Sequence, residues 1–208
     1  MIVTVEYRLA PETPFPGPLD DCYAALKWVY ANAASIGADK TRIAVLGESA
    51  GGGLAAMLAI AARDRGEVPL CYQALVYPML DDRTGSTRTP PPHKGEVIWT
   101  PAQNRFGWTS FLGQPAGGPT VPKGSVPARE TNLASLPPTF IGVGSIDLFV
   151  DEDIEYAKRL VDAGVLTELH IVPGAFHGFD TSVAQASVSK QFHAALISAI
   201  ATAFAQPS

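Results

Sequence analysis

Apolar and polar positions along the chain follow two different periods in turn, and this alternation predicts strands separated by helices. Short apolar runs rich in β-branched residues are typical of buried strands, and they lie at 2–8, 42–46, 71–77, 139–143 and 168–172. Apolar residues spaced three and four apart predict helices over 18–31, about 54–66, 152–163 and 183–205. Strands that alternate with helices in this way favour an α/β fold with a parallel sheet covered on both faces.

One long segment, residues 81–138, interrupts the alternation. It is dense in proline and glycine, notably at 90–92 and 117–119, and its one helical pattern covers Pro101–Leu112. A segment of this length inside a compact domain usually borders an active site. Since 208 residues suit one domain, we expect a single domain over 1–208 that carries this insertion.

Composition narrows the classes of partner. Hydrophobic residues make up 47% of the chain, charged residues 17%, and the net charge is −5 without a Lys/Arg block, which argues against nucleic acid. The apolar runs at 53–62 and 194–205 are shorter than the roughly 20 residues that cross a bilayer. Glu6 and Arg8 interrupt the first apolar stretch, so we expect no secretory signal, no membrane partner and a cytoplasmic location.

The run Gly47-Glu48-Ser49-Ala50-Gly51 has the pattern G-x-S-x-G and stands between a predicted strand and a predicted helix. A strand–turn–helix context is what a nucleophile elbow requires, because the sharp turn exposes the serine hydroxyl. Partial positive charge at the helix N-terminus favours an anion that develops there. The alternative is a glycine-rich turn that binds phosphate or only packs.

A serine hydroxyl is a weak nucleophile at neutral pH, so it needs a general base and an acid that orients the base. Of the four histidines, His177 lies in a loop between the last predicted strand and the last predicted helix. His93 falls in the proline-rich segment, His170 inside a strand and His193 on the final helix, where solvation or packing explains them. His177 is therefore the candidate base.

Two acidic residues compete for the role of the acid. Asp147 follows the apolar run 139–143 at the carboxyl end of a predicted strand, the edge at which open parallel sheets bind ligands. The order Ser49, Asp147, His177 is also the order that the elbow architecture uses. Asp151 is the alternative, but its position better fits the N-cap of the following helix.

Four ordered motifs resemble those of the hormone-sensitive-lipase-like branch of α/β-hydrolase esterases. They are Tyr-Arg-Leu-Ala-Pro-Glu at 7–12, Gly-Glu-Ser-Ala-Gly-Gly at 47–52, Asp-Leu-Phe-Val-Asp-Glu at 147–152 and His-Gly-Phe at 177–179. The resemblance runs from the first residues to the last helix. It implies an α/β-hydrolase fold and a serine esterase.

The same resemblance assigns roles to single residues. It implies that Ser49, Asp147 and His177 form a catalytic triad and that the Ala50 N–H is one oxyanion donor. It further implies a small, short-chain carboxylic ester as substrate, with no cofactor and no metal. In the insertion and the elbow, we take Glu48, Trp99, Phe106 and Trp108 as candidate pocket residues, for which ordinary core packing is an equal alternative.

The chain also departs from that family. Members carry a His-Gly-Gly-Gly loop that supplies oxyanion donors upstream of the segment matching 7–12, whereas this sequence starts at Met1 without it. We therefore expect an N-terminally truncated sheet and low activity, since loss of one oxyanion donor typically costs roughly 10²–10³ in turnover. Three alternatives stay open: a longer natural chain, a non-catalytic binder of small ligands, and an amidase or acyl transferase with the same triad.

In the family the strand that matches 2–8 does not touch the elbow strand, so a gap is expected between them. An unpaired strand edge is a liability for aggregation. We hypothesise that residues 2–8 shift to pair with 42–46, or that a second copy of the chain covers the edge in a homo-oligomer. A monodisperse monomer with an ordinary eight-stranded sheet would contradict this hypothesis.

Overall fold

The computed structural model describes residues 1–205, and a four-stranded parallel sheet lies at their centre. Its strands pair in the order β1 to β4. They are β1 Ala44–Glu48, β2 Tyr72–Val76, β3 Thr139–Gly144 and β4 Thr167–Val172. The predicted α/β class with a parallel sheet is confirmed, and each of these strands lies within two residues of its predicted bounds.

Helices connect and flank the strands. They are α1 Gly17–Asn32, α2 Ala50–Arg65, α3 Pro101–Leu112, α4 Val150–Asp162, α5 Phe179–Ser182 and α6 Ser187–Ala205, with a 3₁₀ turn at Pro127–Arg129. The helix predicted inside the insertion is confirmed at both ends. A capping box formed by Thr100 and Gln103 fixes its start. Within residues 1–205, none of the helices combines the length and apolar character that a bilayer crossing requires.

The core lies on both faces of the sheet, which explains why the strands are apolar throughout. On one face Leu75 and Ile141 pack with residues of α1, α2 and α4 in the larger cluster. On the other face Val76 and Phe140 pack with Phe192 of α6. All five residues of β2 are buried, since this strand has a neighbour on each side and a helix layer on each face.

The strand predicted at 2–8 is wrong, as is its pairing with 42–46. Residues 1–9 form no strand, and β1 pairs only with β2 among the described residues. A β-branched run becomes a strand only where a neighbour accepts its backbone hydrogen bonds. Here the Arg8 N–H donates to the Asp21 carboxylate at 2.9 Å, while Val5 and Tyr7 pack against the larger core cluster.

The outer edge of β1 is consequently unpaired within residues 1–205. Leu46, in the middle of this strand, is 52% exposed, whereas Leu75 of the neighbouring β2 is completely buried. An exposed strand edge is a template for pairing with another chain. Coverage of this edge by a second copy stays a prediction.

The turn from β1 to α2 holds Ser49 in an uncommon conformation, with φ 55° and ψ −120°. Such backbone costs on the order of 1–3 kcal/mol and persists only where the surroundings enforce it. The Ser49 N–H donates to the Val76 carbonyl at 2.9 Å, and the Ser49 carbonyl accepts from the N–H groups of Gly53 and Met79 at 3.0 and 2.9 Å. These bonds fix the turn against the end of β2.

Glycine is needed at some positions of this turn and not at others. A Cβ on Gly47 would stand 2.1 Å from the carbonyl oxygen of Gly51, a clash with backbone that no rotamer relieves. A Cβ on Gly51 would meet no atom within 4 Å. The two outer glycines of the pentapeptide therefore differ in what they do.

Gly47→Ala and Gly51→Ala make a matched pair that tests this difference. We expect Gly47→Ala to lower the free energy of unfolding by about 1–3 kcal/mol or more, because the backbone must move apart. We expect Gly51→Ala, in the first turn of α2, to be neutral or to stabilise by up to about 1 kcal/mol. Urea denaturation followed by circular dichroism measures both, and equal losses would contradict the close approach at Gly47.

Helix α4 buries two neighbouring acids. Glu152 Oε1 accepts from the N–H groups of Leu80 and Asp81 at 2.7 and 3.1 Å. Neither carboxyl oxygen of Asp153 has a hydrogen-bond partner among the described residues. Burial raises the pKa of Asp153 well above its usual range, and the nearby Glu152 and Asp147 raise it further. The folded protein therefore holds a proton on Asp153 at pH values where the unfolded chain has released it.

Asp153→Asn should remove a pH-dependent destabilisation. Because the folded-state pKa of Asp153 lies above the unfolded value of about 3.9, its contribution to stability starts to fall as pH rises past that value and keeps falling until the folded group ionises. We expect the variant to gain stability relative to the wild type between about pH 4 and pH 7, by roughly 1–3 kcal/mol.

The exposed neighbour Asp151 supplies the matched control, since its ion pair with Lys94 is solvent-exposed on the aspartate side. Asp151→Asn should change stability by less than about 1 kcal/mol at each pH. Denaturation curves recorded across the pH range test both variants. A gain for Asp153→Asn that does not depend on pH would show that Asp153 is not held protonated.

Candidate active site

The carboxyl ends of three strands of the parallel sheet bring Ser49, His177 and Asp147 together. Ser49 stands between β1 and α2, Asp147 follows β3, and His177 follows β4. Ser49 Oγ lies 2.8 Å from His177 Nε2, and His177 Nδ1 lies 2.9 Å from Asp147 Oδ2. Both distances are those of good hydrogen bonds. The result is an unbroken line from hydroxyl to imidazole to carboxylate.

The direction of these bonds follows from what each group can donate. A carboxylate only accepts, so the proton between His177 and Asp147 belongs to His177 Nδ1. That tautomer leaves Nε2 with a lone pair, which accepts the hydroxyl proton of Ser49. Asp147 is itself held, because its Oδ1 accepts from the Phe149 N–H at 2.9 Å. The arrangement can withdraw a proton from Ser49 and hold the resulting imidazolium.

Burial distinguishes the three side chains. Asp147 is completely buried, and His177 is 5% exposed. Ser49 is half-buried at the mouth of the turn. Electrostatic interactions strengthen where water is excluded, so the His177–Asp147 pair lies where an imidazolium is well stabilised, whereas Ser49 stays within reach of a solute.

Asp151, the alternative acid, lies away from the imidazole. Its carboxylate is exposed and bonds to Lys94 Nζ at 2.6 Å. The prediction that Asp151 caps α4 is wrong: the helix begins at Val150, and Phe149 occupies the cap position. The turn after β3 already bends at Asp147, whose carboxylate accepts from the Phe149 N–H, so the helix starts two residues earlier than the cap prediction required.

The other histidines lie outside the line of hydrogen bonds. His93 is exposed in the proline-rich segment. His170 lies on β4, 3.6 Å from a Glu168 oxygen and beside the Phe140 ring. His193 lies on α6 and pairs with the buried Asp180 at 3.0 Å.

The candidate pocket residues separate in the structure. The Trp99 ring lies beside His177, with centroids 6.5 Å apart, so it borders the base. Trp108 is 1% exposed and belongs to the larger core cluster, which agrees with the alternative that it only packs in the core. Phe106 is 69% exposed on α3. Glu48 ends β1, where partial burial and then Asp180 raise its pKa above the usual range.

Ala50 is the first residue of α2. The first four N–H groups of a helix have no partner within it, and they carry the positive end of the helix dipole. The Ala50 N–H therefore stands beside Ser49 as a donor free of helical bonding. A cleft of about 700 Å³ lined by Cys71, Tyr72 and Thr139 lies elsewhere, at the amino ends of the strands.

Sequence reasoning missed the aromatic rings that enclose the imidazole. The Tyr77 ring meets the His177 ring edge-on with centroids 4.7 Å apart, and the Phe149 ring does so at 5.2 Å. Their positions in the sequence gave one indication that they border the site. Tyr77 directly follows the carboxyl end of β2, and Phe149 lies in the turn after β3. Their contact with His177 depends on how the strands assemble, which local sequence does not specify.

Comparisons with known proteins agree with this geometry. The model of a family described by the alpha/beta hydrolase fold matches residues 1–181. Carboxylesterase NlhH of Mycobacterium tuberculosis is 39% identical over 184 residues, which cover 86% of this chain and 56% of that protein. Ethyl acetate hydrolase of Pseudomonas putida is 32% identical over 185 residues, covering 86% and 55%. The chain thus spans about half the length of the curated relatives it matches.

Solved structures give the same result. The structure of a bacterial heroin esterase superposes with a TM-score of 0.90 at 44% identity, covering 97% of this chain and 64% of that one. Esterase LipW from Mycobacterium marinum superposes with a TM-score of 0.84 at 43% identity, covering 96% and 62%. By sequence and by structure, the chain belongs to the α/β-hydrolase fold family, in its hormone-sensitive-lipase-like branch of carboxylesterases.

Proposed function

We propose that the chain hydrolyses small, short-chain carboxylic esters through an acyl-enzyme on Ser49. The observation that carries this proposal is the unbroken line of hydrogen bonds from Ser49 through His177 to Asp147. A binding protein has no need of all three groups in that geometry. The names of the relatives support the chemistry, since they include carboxylesterases and an ethyl acetate hydrolase.

In the proposed reaction His177 Nε2 accepts the hydroxyl proton as Ser49 Oγ attacks the ester carbonyl carbon. Asp147 holds the imidazolium that forms. His177 then protonates the departing alcohol, leaving an acyl ester on Ser49. Water, deprotonated by the same imidazole, attacks this ester and releases the acid and the free serine. The buried His177–Asp147 pair supports both halves, because in each half the imidazole first accepts a proton and then donates it: from Ser49 to the departing alcohol, and then from water to Ser49.

The oxyanion that forms in each half needs N–H donors. The Ala50 N–H, at the positive end of α2, is the donor we propose from this chain. The 208 residues contain no His-Gly-Gly-Gly run to provide others. Because one lost donor typically costs roughly 10²–10³ in turnover, we expect the chain by itself to be a slow esterase.

A second candidate function is the binding of a small ligand without turnover. The observation that favours it is that the outer edge of β1, the strand that leads into the elbow, has no strand partner among the described residues. The complete triad geometry disfavours it. The two functions differ in whether Ser49 forms and releases an acyl ester.

Hydrolysis of p-nitrophenyl acetate and butyrate tests the proposal. We expect the wild type to release p-nitrophenol from both esters above the background rate, and Ser49→Ala to lose at least about 10³-fold of that catalysis. The surface serine Ser35, which bonds a neighbouring backbone carbonyl, gives the matched control, and Ser35→Ala should keep the wild-type rate.

Two results would contradict the proposal in different ways. Equal rates for wild type and Ser49→Ala would remove Ser49 from the chemistry. No hydrolysis by a folded wild type, together with saturable binding of a non-hydrolysable ester analogue, would favour the binding function. Circular dichroism spectra of each variant show that the fold is intact.

A further inference from the structure

A second line of hydrogen bonds lies beside the triad and also ends on a histidine. Tyr77 Oη donates to Asp180 Oδ1 at 2.8 Å, and Asp180 Oδ2 lies 3.0 Å from His193 Nε2. Tyr77 and Asp180 are 3% and 1% exposed, so both polar groups are buried and paired. None of these three residues takes part in the reaction proposed above.

The Tyr77 end of this line touches the base. Its ring meets the His177 ring edge-on, with centroids 4.7 Å apart and planes at 63°. Phe149 meets the same imidazole at 5.2 Å and 86°. The Nδ1 bond to Asp147 by itself would still let the imidazole rotate and tilt about that bond. The two flanking rings limit this freedom and hold Nε2 towards Ser49.

Tyr77 itself is held at two places. Its backbone has φ 34°, an uncommon value for a bulky residue, and its N–H donates to the Gly142 carbonyl at 2.6 Å. This bond turns the chain at the end of β2 and directs the ring towards His177. The far end of the ring is then fixed by the bond from Oη to Asp180. Without that bond the ring would keep its place along the chain but lose its anchor.

The anchor and the base lie on the same short segment. Asp180 is three residues after His177, on the single turn of α5, which packs on α6. His177 is thus linked to Asp180 in two ways. The backbone joins them directly, and Tyr77 joins them through its hydrogen bond to Asp180 and its ring contact with His177. His193 of α6 bonds the second oxygen of Asp180 and ties this loop to the long helix.

The charge of Asp180 ensures that Tyr77 is the donor in the hydrogen bond between them. Burial first, and then Asp180, raises the pKa of Tyr77 far above its ordinary value, so the phenol keeps its proton and donates. Asp180 accepts from Tyr77 with one oxygen and faces His193 with the other. Glu48 also lies near this group, and its partial burial and the charge of Asp180 raise its pKa. The carboxylate of Asp180 thus connects Tyr77 and His193.

We propose that Tyr77 and Asp180 are positioning residues for the general base, with His193 as the outer support of Asp180. The proposal rests on the proposed function of Ser49 and His177. Tyr77 acts through ring contact and Asp180 acts through Tyr77. The assignment predicts that loss of the Tyr77–Asp180 bond changes the tautomer and mobility of His177 while the fold and substrate binding remain.

The direct test is nuclear magnetic resonance of the histidine rings. Two-bond and three-bond ¹H–¹⁵N correlation spectra report the tautomer of each of the four histidines, and His177→Gln assigns the His177 signals. In the wild type, at about pH 8 where an ordinary imidazole is neutral, we expect His177 to carry its proton on Nδ1. In Tyr77→Phe and Asp180→Leu we expect exchange-broadened His177 signals and a measurable share of the Nε2–H tautomer.

Two controls separate positioning from general damage. Tyr156 is a buried tyrosine on α4 whose hydroxyl has no partner in the described structure, so Tyr156→Phe removes a phenol oxygen without removing a bond. It should leave the His177 signals unchanged. Asp180→Asn keeps an oxygen that accepts from Tyr77, and it should restore most of the wild-type His177 spectrum where Asp180→Leu does not.

The kinetics of ester hydrolysis provide a second test of the positioning role. We expect Tyr77→Phe and Asp180→Leu to lower kcat by about 10- to 100-fold with KM within about twofold, since misplaced groups slow chemistry more than binding. His177 spectra of Tyr77→Phe and Asp180→Leu that match those of Tyr156→Phe would overturn the proposal, whatever the activity. Changed His177 spectra in a chain without hydrolysis would uphold the positioning role and refute only the proposed function.

Discussion

The structure depends most on one strained residue, Ser49, and on the contacts that enforce its backbone. Its carbonyl accepts from the N–H groups of both Gly53 and Met79, which join the start of α2 to the end of β2. Gly47 lets the turn close, because any side chain there would meet the backbone of Gly51. A relaxed turn would swing the hydroxyl away from His177. The strain at Ser49 is thus the condition for the whole line of hydrogen bonds.

The segment that follows β2 transmits this constraint to the rest of the molecule. Tyr77 reaches the imidazole, and Met79 holds the Ser49 carbonyl. The next two N–H groups, those of Leu80 and Asp81, bond to Glu152 on α4, the helix that begins just after Asp147. The nucleophile, the base and the acid come from three distant parts of the sequence, and this one segment contacts the surroundings of all three. Their mutual distances are therefore fixed by a shared support.

Sequence patterns predicted what depends on local properties. Buried strands carry apolar runs whatever their partners, so four strands and the order of the helices followed from periodicity. The G-x-S-x-G turn and the carboxyl-end positions of Asp147 and His177 followed from chain order. The strand at 2–8 could not be judged in this way, because its β-branched residues show propensity but pairing needs a neighbour. The bond between Tyr77 and Asp180 joins residues 103 apart and left no local signal.

The central claim is that Ser49 is an activated nucleophile in this chain. Incubation with a fluorophosphonate, followed by intact-mass and peptide mass spectrometry, tests it most directly, because a phosphonyl adduct forms on a serine that a neighbouring base activates. We predict one adduct per chain, located on Ser49, and a strongly reduced labelling rate in His177→Gln. A folded chain that forms no adduct on Ser49, or that labels as fast without His177 as with it, would contradict the account.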